Sequence, residues 1–315
     1  TIDTIGLTWL PLYHDMGLVG SVLSTLWCGC SSVILRSSIF IQRPLRWLEL
    51  ISEYNATATA APNFAYERLC NSINKGDIDE LDLSNLKTVV IGGEPVMQST
   101  IEKIKNKFSN CGLSPSSIVP AYGMAEATLL VSSGQYIDGP RFSKKHTSIP
   151  VANLGTAVPN IDVSIRETNT KKLIPDGLLG EIYLEGPGMG HLVPKGQDWR
   201  VITKKTPIKT GDFGYIENDQ IYVTGRTSNK IIIRGKNFFA EDIEAIVVNT
   251  QVDGFTSGIA AFGINKDGSE ILCILIEQLN KNEKLNINIL KQRLISELGV
   301  KPHILCCLRR YSLPR

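Results

Sequence analysis

The chain has 315 residues, with 33 basic against 31 acidic side chains, a formal net charge of +2, and 43% hydrophobic residues. That length suits about two domains, the hydrophobic share excludes wholesale disorder, and 27 Gly and 15 Pro exclude collagen-like and low-complexity classes. Balanced charge leaves no basic field for gripping a nucleic-acid backbone, and the one basic concentration, Lys301, Arg309, Arg310 and Arg315, reads as solvated surface.

Residues 16–35 carry no charge over twenty positions, long enough to cross a bilayer. Gly17, Gly20, Gly29 and several serines interrupt them, so a buried helix, a break at Cys28-Gly29-Cys30 and a strand over Ser32–Leu35 are expected instead. With no transmembrane segment and no cleavable signal, the expectation is a cytoplasmic protein. Pro44 ahead of Leu45, Leu48, Ile51 and Tyr54 predicts a helix with Pro in its first turn. Leu86–Ile91 reads as a buried parallel strand ended by Gly92-Gly93. Ile101, Ile104 and Phe108 have helical spacing, and Ile118–Pro120 reads as a further strand. Seven scattered cysteines without zinc-ligand spacing predict buried, reduced thiols.

From Val151 to Thr224 short strands (162–166, 180–184, 220–224) alternate with turns such as Pro175-Asp176-Gly177, which predicts a β-rich subdomain. Beyond Arg226 come a strand (230–234), a helix (241–248), two strands (258–264 and 271–277) and a last helix. That helix carries Ile287, Leu290, Leu294, Ile295 and Leu298 as one apolar stripe. The fold class is therefore α/β. A layered αβ subdomain fills 1–150, a small β-rich subdomain 151–226, a joint 227–229, and a compact α+β domain 230–315.

General signatures fail. Gly134–Gly139 has P-loop spacing but continues into Pro140-Arg141, and Gly186, Gly188 and Gly190 do not make a dinucleotide fingerprint. Four other segments stand out. They are Trp9-Leu10-Pro11-Leu12-Tyr13-His14-Asp15-Met16-Gly17; Val90-Ile91-Gly92-Gly93-Glu94-Pro95, whose glycines suit close approach of backbone to a flat ligand; Ala121-Tyr122-Gly123-Met124-Ala125-Glu126-Ala127-Thr128; and Thr210-Gly211-Asp212 with Thr224-Gly225-Arg226, running on through Ile231-Ile232-Ile233-Arg234-Gly235-Lys236-Asn237 to Glu241-Asp242-Ile243-Glu244.

Together with Pro62-Asn63-Phe64-Ala65-Tyr66, these segments resemble the adenylate-forming (AMP-binding) superfamily over essentially the whole chain, and most nearly its fatty-acyl-AMP ligases. The resemblance implies ATP and Mg²⁺, a fatty-acid substrate activated as acyl-AMP with release of pyrophosphate, and transfer to the phosphopantetheine of an acyl carrier protein. It implies that Tyr122 stacks on adenine, with Gly92, Gly93 and Glu94 lining the other side through backbone and Ala121, Gly123 and Met124 beside the nucleotide. Glu126 would hold Mg²⁺, Asp212 the ribose hydroxyls, and Arg226 the ribose or α-phosphate. His14 would act where acid, nucleotide and thiol meet; His14, Asp15, Met16, Asn63 and Phe64 would line the acyl channel, and Ser228 would stand at the hinge.

The sequence also departs from the family pattern. Ser228 and Asn229 stand where Lys or Asp, and Asp, are usual, and Ala240 replaces a usual proline. Gly186–Lys195 lacks the family's Gly-Tyr-Trp, and the 134–154 segment is short for a branch whose insertion hinders coenzyme A use. The family's phosphate loop would precede Trp9 and its catalytic lysine would follow Arg315, so this polypeptide alone is expected not to adenylate. A fatty acyl-CoA ligase and an inactive truncated remnant are the rival readings.

Overall fold

The apolar runs read as strands do pair, some in parallel and others antiparallel. The computed structural model describes residues 3–190, 207–233, 236–250, 258–266, 269–278, 286–309 and 312–313. Lys195, Arg234, Gly235, Arg310 and Arg315, singled out in the sequence, lie outside the described residues.

Two units emerge: residues 1–143, 150–210 and 214–223 form the larger, and 144–149, 211–213 and 224–315 the smaller. The larger begins with β1 (Ile5–Thr8), then α1 (Asp15–Gly17), a π-helical stretch over Leu18–Leu23 and α2 (Ser24–Cys28), which lead to β2 (Ser31–Ile34). Next come α3 (Ser37–Gln42), α4 (Leu45–Glu53), β3 (Ala58–Ala61), α5 (Asn63–Ser72), β4 (Thr88–Ile91), α6 (Gln98–Phe108), β5 (Ile118–Gly123) and β6 (Leu130–Ser133). After β7 (Phe142–Ser143) and β8 (Val151–Ala152), β9 (Thr156–Ala157) returns to the same sheet, whose order is β2-β1-β3-β4-β5-β6-β9. The first five of these strands are mutually parallel, while β6 and β9 run antiparallel to their neighbours.

The layers follow from side-chain alternation. Thr59, Ala61, Val89 and Ile91 are buried beneath α4–α6, while Ala58, Ala60, Thr88 and Val90 on the other face are half-buried. Strand order moves one way from β1 to β2 and the other way from β3 through β5. Right-handed crossovers then carry the β1–β2 connection to the face opposite α5 and α6. Trp47 and Ile51 of α4, Leu69 of α5 and Ile104 and Phe108 of α6 surround an apolar cavity of about 20 Å³, which has room for packing slack and not for a substrate.

Two expectations need correction here. The helical part of the uncharged stretch is mostly not buried: Leu26 and Trp27 are 72% and 91% exposed, and within residues 16–28 only Met16 and Gly17 are buried. Of the cysteines only Cys70, Cys111 and Cys273 are buried, whereas Cys28, Cys306 and Cys307 are exposed. At the start of the β-rich segment β9 joins the large sheet by pairing with Ser132 and Ser133.

That segment otherwise forms a four-stranded sheet in the order β10 (Asp162–Arg166), β11 (Gly180–Glu185), β12 (Ile208–Glu217), β13 (Gln220–Arg226). β12 is ten residues long and runs through Thr210-Gly211-Asp212, where Gly211 adopts φ +83°.

The smaller unit pairs β14 (Lys230–Ile233) with β15 (Lys236–Phe239), followed by α7 (Ala240–Thr250). A three-stranded sheet then orders β16 (Ile259–Lys266), β17 (Ser269–Gln278) and β18 (Ile304–Arg309), with α8 (Ile287–Leu298) before the last strand. The predicted stripe of α8 is narrower than expected. Leu290 and Leu294 are fully buried, while Ile287 and Ile295 are 39% and 49% exposed. Among the described residues no helix is long and apolar enough to cross a membrane.

Candidate functional site

In an open parallel sheet ligands sit beyond the carboxyl ends of the strands, where strand order reverses. Here the reversal lies between β1 and β3. His14, Asp15 and Met16 follow β1, Asn63 and Phe64 follow β3, and Gly92, Gly93 and Glu94 follow β4. Ala121, Tyr122 and Gly123 end β5, with Met124 and Glu126 just beyond. Four adjacent parallel strands therefore bring together, at one edge, residues up to 112 positions apart in the chain (Glu126 minus His14).

His14 is the N-cap of α1. Its Nδ1 lies 2.7 Å from Asp15 Oδ1 and 3.3 Å from the Met16 N–H. One ring nitrogen cannot donate to the carboxylate and accept from the amide at once, and Asp15 Oδ1 already accepts the Met16 N–H at 2.7 Å. The shorter ring contact therefore puts the N–H of His14 against Asp15 and directs Nε2 away from it. Met16 is buried, and a Cβ on Gly93 would meet its Sδ at 3.3 Å, so the first and second segments touch here.

Gly92 and Gly93 face different constraints. A Cβ on Gly92 would lie 2.7 Å from the Ala121 carbonyl oxygen, so the close approach at Gly92 is to the neighbouring strand. Gly93 has φ +74°, which turns the chain sharply out of β4. Glu94, expected to contribute backbone alone, also accepts the Phe64 N–H through Oε2 at 3.0 Å. Burial raises the Glu94 carboxyl pKa, opposed by that hydrogen bond.

Tyr122 is half-buried against the apolar clusters on both sides of β5. Beyond it, Met124–Leu129 forms the tip of the β5–β6 hairpin, and Glu126 sits half-buried in a 3₁₀ turn there. The Glu126 carbonyl accepts the Gly190 N–H at 2.6 Å, and Thr128 Oγ1 donates to Gly188 O at 3.2 Å, so the tip is tied to the 186–190 loop. Thr128 itself has φ +67° and ψ −52°, and Leu129 N–H donates to Ala127 O at 2.8 Å. This is a γ-turn with positive φ at a β-branched residue, a strained arrangement concentrated beside Glu126. Among the described residues no three His, Cys, Asp or Glu side chains gather to hold a metal by themselves. Glu126 offers one hard oxygen, which is what a Mg²⁺ ion that keeps waters and phosphate oxygens takes from a protein.

Asp212, Arg226 and Ser228 belong to the smaller unit. Asp212 is 6% exposed, and Arg226 Nε lies 3.3 Å from its Oδ1, with the Arg226 side chain 70% exposed. Gly225 between these elements has no room for a Cβ, which would fall 2.6 Å from the Phe239 ring. Ser228 lies in a 3₁₀ turn over Thr227–Asn229, and its hydroxyl donates to Asn229 Oδ1 at 3.0 Å.

Two aromatics went unassigned in the sequence. Trp9 stacks on Phe40 with centroids 3.9 Å apart and meets the Phe64 edge at 6.3 Å, which floors the β1–β3 end of the site. Trp9 adjoins the His14 segment and could have been found by that proximity; Phe40 carries no local signal.

The comparisons with known proteins agree with this geometry. The family model described as "AMP-binding enzyme" matches residues 2–191. The long-chain-fatty-acid–AMP ligase FadD23 of Mycobacterium tuberculosis (strain CDC 1551 / Oshkosh) is 31% identical over 308 residues, covering 89% of this chain and 52% of that protein. The medium-chain-fatty-acid–[acyl-carrier-protein] ligase TtuA of Teredinibacter turnerae is 30% identical, covering 87% of this chain and 48% of its own length. A solved structure from a study of fatty acyl-adenylate ligases of E. coli and L. pneumophila superposes with a TM-score of 0.86 at 30% identity, over 99% of this chain and 59% of that one. The chain thus spans about half the length of the curated relatives it matches.

Proposed function

The chain belongs to the AMP-binding enzyme family, and from that premise we propose that it contributes to activation of a fatty acid as its acyl-adenylate, followed by acyl transfer to an acyl-carrier-protein thiol. The observation that carries the reading is the convergence of the His14, Asn63, Gly92 and Tyr122 segments at the carboxyl ends of β1, β3, β4 and β5, beside the strand-order reversal.

In the first half-reaction a carboxylate oxygen of the acid bonds to the α-phosphorus of ATP, and the bond from that phosphorus to the bridging oxygen breaks as pyrophosphate leaves. In the second, a thiolate bonds to the acyl carbon and AMP departs. The protein's part is positioning and charge neutralisation. Tyr122 presents its ring to adenine, Glu126 supplies an oxygen to Mg²⁺, and Met16 and Phe64 give the acyl chain apolar surface. His14, oriented through Asp15, presents Nε2 toward the reacting groups. Asp212 accepts from the ribose hydroxyls and Arg226 neutralises phosphate charge. The turn at Ser228 serves as the joint on which the domain beyond it swings between half-reactions.

A non-hydrolysable acyl-sulfamoyl adenosine tests the reading by calorimetry. Binding that is tighter than that of AMP and is weakened by Tyr122→Ala is the expected result; no binding would overturn it. Acyl-adenylate offered with either holo carrier protein or coenzyme A decides the acceptor, and acylation of coenzyme A alone would replace the carrier-protein step.

A further inference from the structure

Two helices at the site begin without side-chain caps of their own. Pro62 precedes α5 and Met97 precedes α6, and neither supplies a capping side chain. The first N–H groups of a helix have no intrahelical acceptor and need another partner. Each helix finds one beside the other. Glu94, in the turn leading to α6, accepts the N–H of Phe64 at the start of α5 at 3.0 Å. Asn63, the first residue of α5, accepts the N–H of Met97 through Oδ1, also at 3.0 Å. The two bonds bridge 30 and 34 residues of sequence and form one closed loop of contacts.

We propose that Glu94 and Asn63 are positioning residues whose reciprocal bonds lock the acyl-side helix α5 to the nucleotide-side turn 92–97, so that the acyl and nucleotide parts of an adenylate are held as one ligand. This rests on the proposed function for the nature of that ligand, but the clasp itself is a property of the protein. The carboxylate suits its place because a negative charge beside the N-terminus of α5 interacts favourably with the helix dipole. The raised pKa of Glu94 has burial as its main cause, so the carboxylate is partly withdrawn from water and directed to this bond. The clasp also explains why Phe64 can be 49% exposed and still hold a fixed edge against Trp9: its backbone is anchored, and the ring follows.

The test uses the whole chain in two arms. In the first, hydrogen exchange of the Phe64 and Met97 amides is followed in Glu94→Ala, Asn63→Ala and the double variant, as protection factors. A clasp predicts that either single change lowers protection at both amides by about tenfold, the scale of a hydrogen bond to a charged group, and that the double variant loses little more. If each variant loosens only the amide it caps, and the losses multiply in the double variant, the caps are independent and the proposal fails. In the second arm, AMP and the acyl-sulfamoyl adenosine are titrated calorimetrically. Glu94→Ala should weaken the acyl-bearing ligand about tenfold more than AMP, with partial recovery in Glu94→Gln, whose carbonyl still accepts. Equal weakening of both ligands would reduce Glu94 to general support of the fold and overturn the positioning role. A wild-type chain that binds neither ligand refutes the proposed function, and the exchange arm then decides the clasp without it.

Discussion

Between the parallel sheet and α4–α6 of the larger unit the buried side chains are almost all apolar, and their main polar thread is a short one. Trp47 Nε1 donates to Thr59 Oγ1 at 3.1 Å, and Thr59 donates to Leu7 O at 2.7 Å, which joins α4 to β3 and β1. In the smaller unit α7 packs Ile243, Ile246 and Val247 into its core while carrying Glu241, Asp242 and Glu244 on the same eleven residues. Burial, and then the neighbouring Glu241, raise Asp242 from 3.8 to about 7. Burial raises Glu244 from 4.5 to about 7, assisted by Glu241 and opposed by the Ala261 N–H that Glu244 accepts at 2.9 Å. The contrast shows that position within a helix does not settle what a carboxylate contributes. Glu241 and Asp242 lie in the first turn of α7, where the dipole favours them, yet desolvation and like charge outweigh it at Asp242.

The largest effect expected is in the apolar layer. Trp47→Ala removes a fully buried ring that meets Trp9, Phe40 and Tyr66 at 6.0, 5.6 and 5.2 Å, and leaves Thr59 without its donor. A loss of about 3–5 kcal/mol in chemical denaturation is expected for the larger unit, and a loss under about 1 kcal/mol would mean that the layer is loosely packed.

Ile243→Ala makes the parallel test in the smaller unit, where the side chain is fully buried. A loss of about 2–5 kcal/mol is expected there, and proteolysis should begin within residues 224–315.

The third prediction concerns pH. Both acids titrate higher in the folded protein than in the unfolded chain, so the folded state favours their protonated forms. Their contribution is full below the ordinary carboxylate range and is lost as pH rises through about 7. Calorimetric melting from pH 4 to 8 should show the smaller unit weakening toward pH 8 and the apolar layer of the larger unit changing less. Asp242→Asn should flatten that decline and raise stability at pH 8; an unchanged profile would remove Asp242 from the account.

The smallest effect is at Thr128, whose φ of +67° costs a β-branched residue conformational energy. Thr128→Gly relieves the strain but adds unfolded-state entropy and loses the Gly188 contact, so the net gain should be about 1 kcal/mol or less. Weaker binding of the acyl-adenylate analogue alongside that gain would tie the strain to the Glu126 tip.

Much of this was legible in the chain because it is local. Helical spacing at Ile101, Ile104 and Phe108 placed α6, and all three side chains are buried. The run ended by Gly92-Gly93 placed β4, and the ordered segments from His14 to Glu126 named the residues that the sheet edge gathers. Periodicity and turn chemistry are decided within a few residues, so the sequence carries them directly.

What only the tertiary structure decided depends on residues distant in sequence. The Glu94 carboxylate finds the Phe64 N–H thirty positions away, Gly92 makes room for Ala121 on the next strand, and β9 returns to pair with β6. The uncharged helix after His14 is apolar yet largely exposed, and two of the five α8 stripe residues face solvent. Composition states how apolar a segment is, but burial, capping and pKa depend on which neighbours long-range packing supplies.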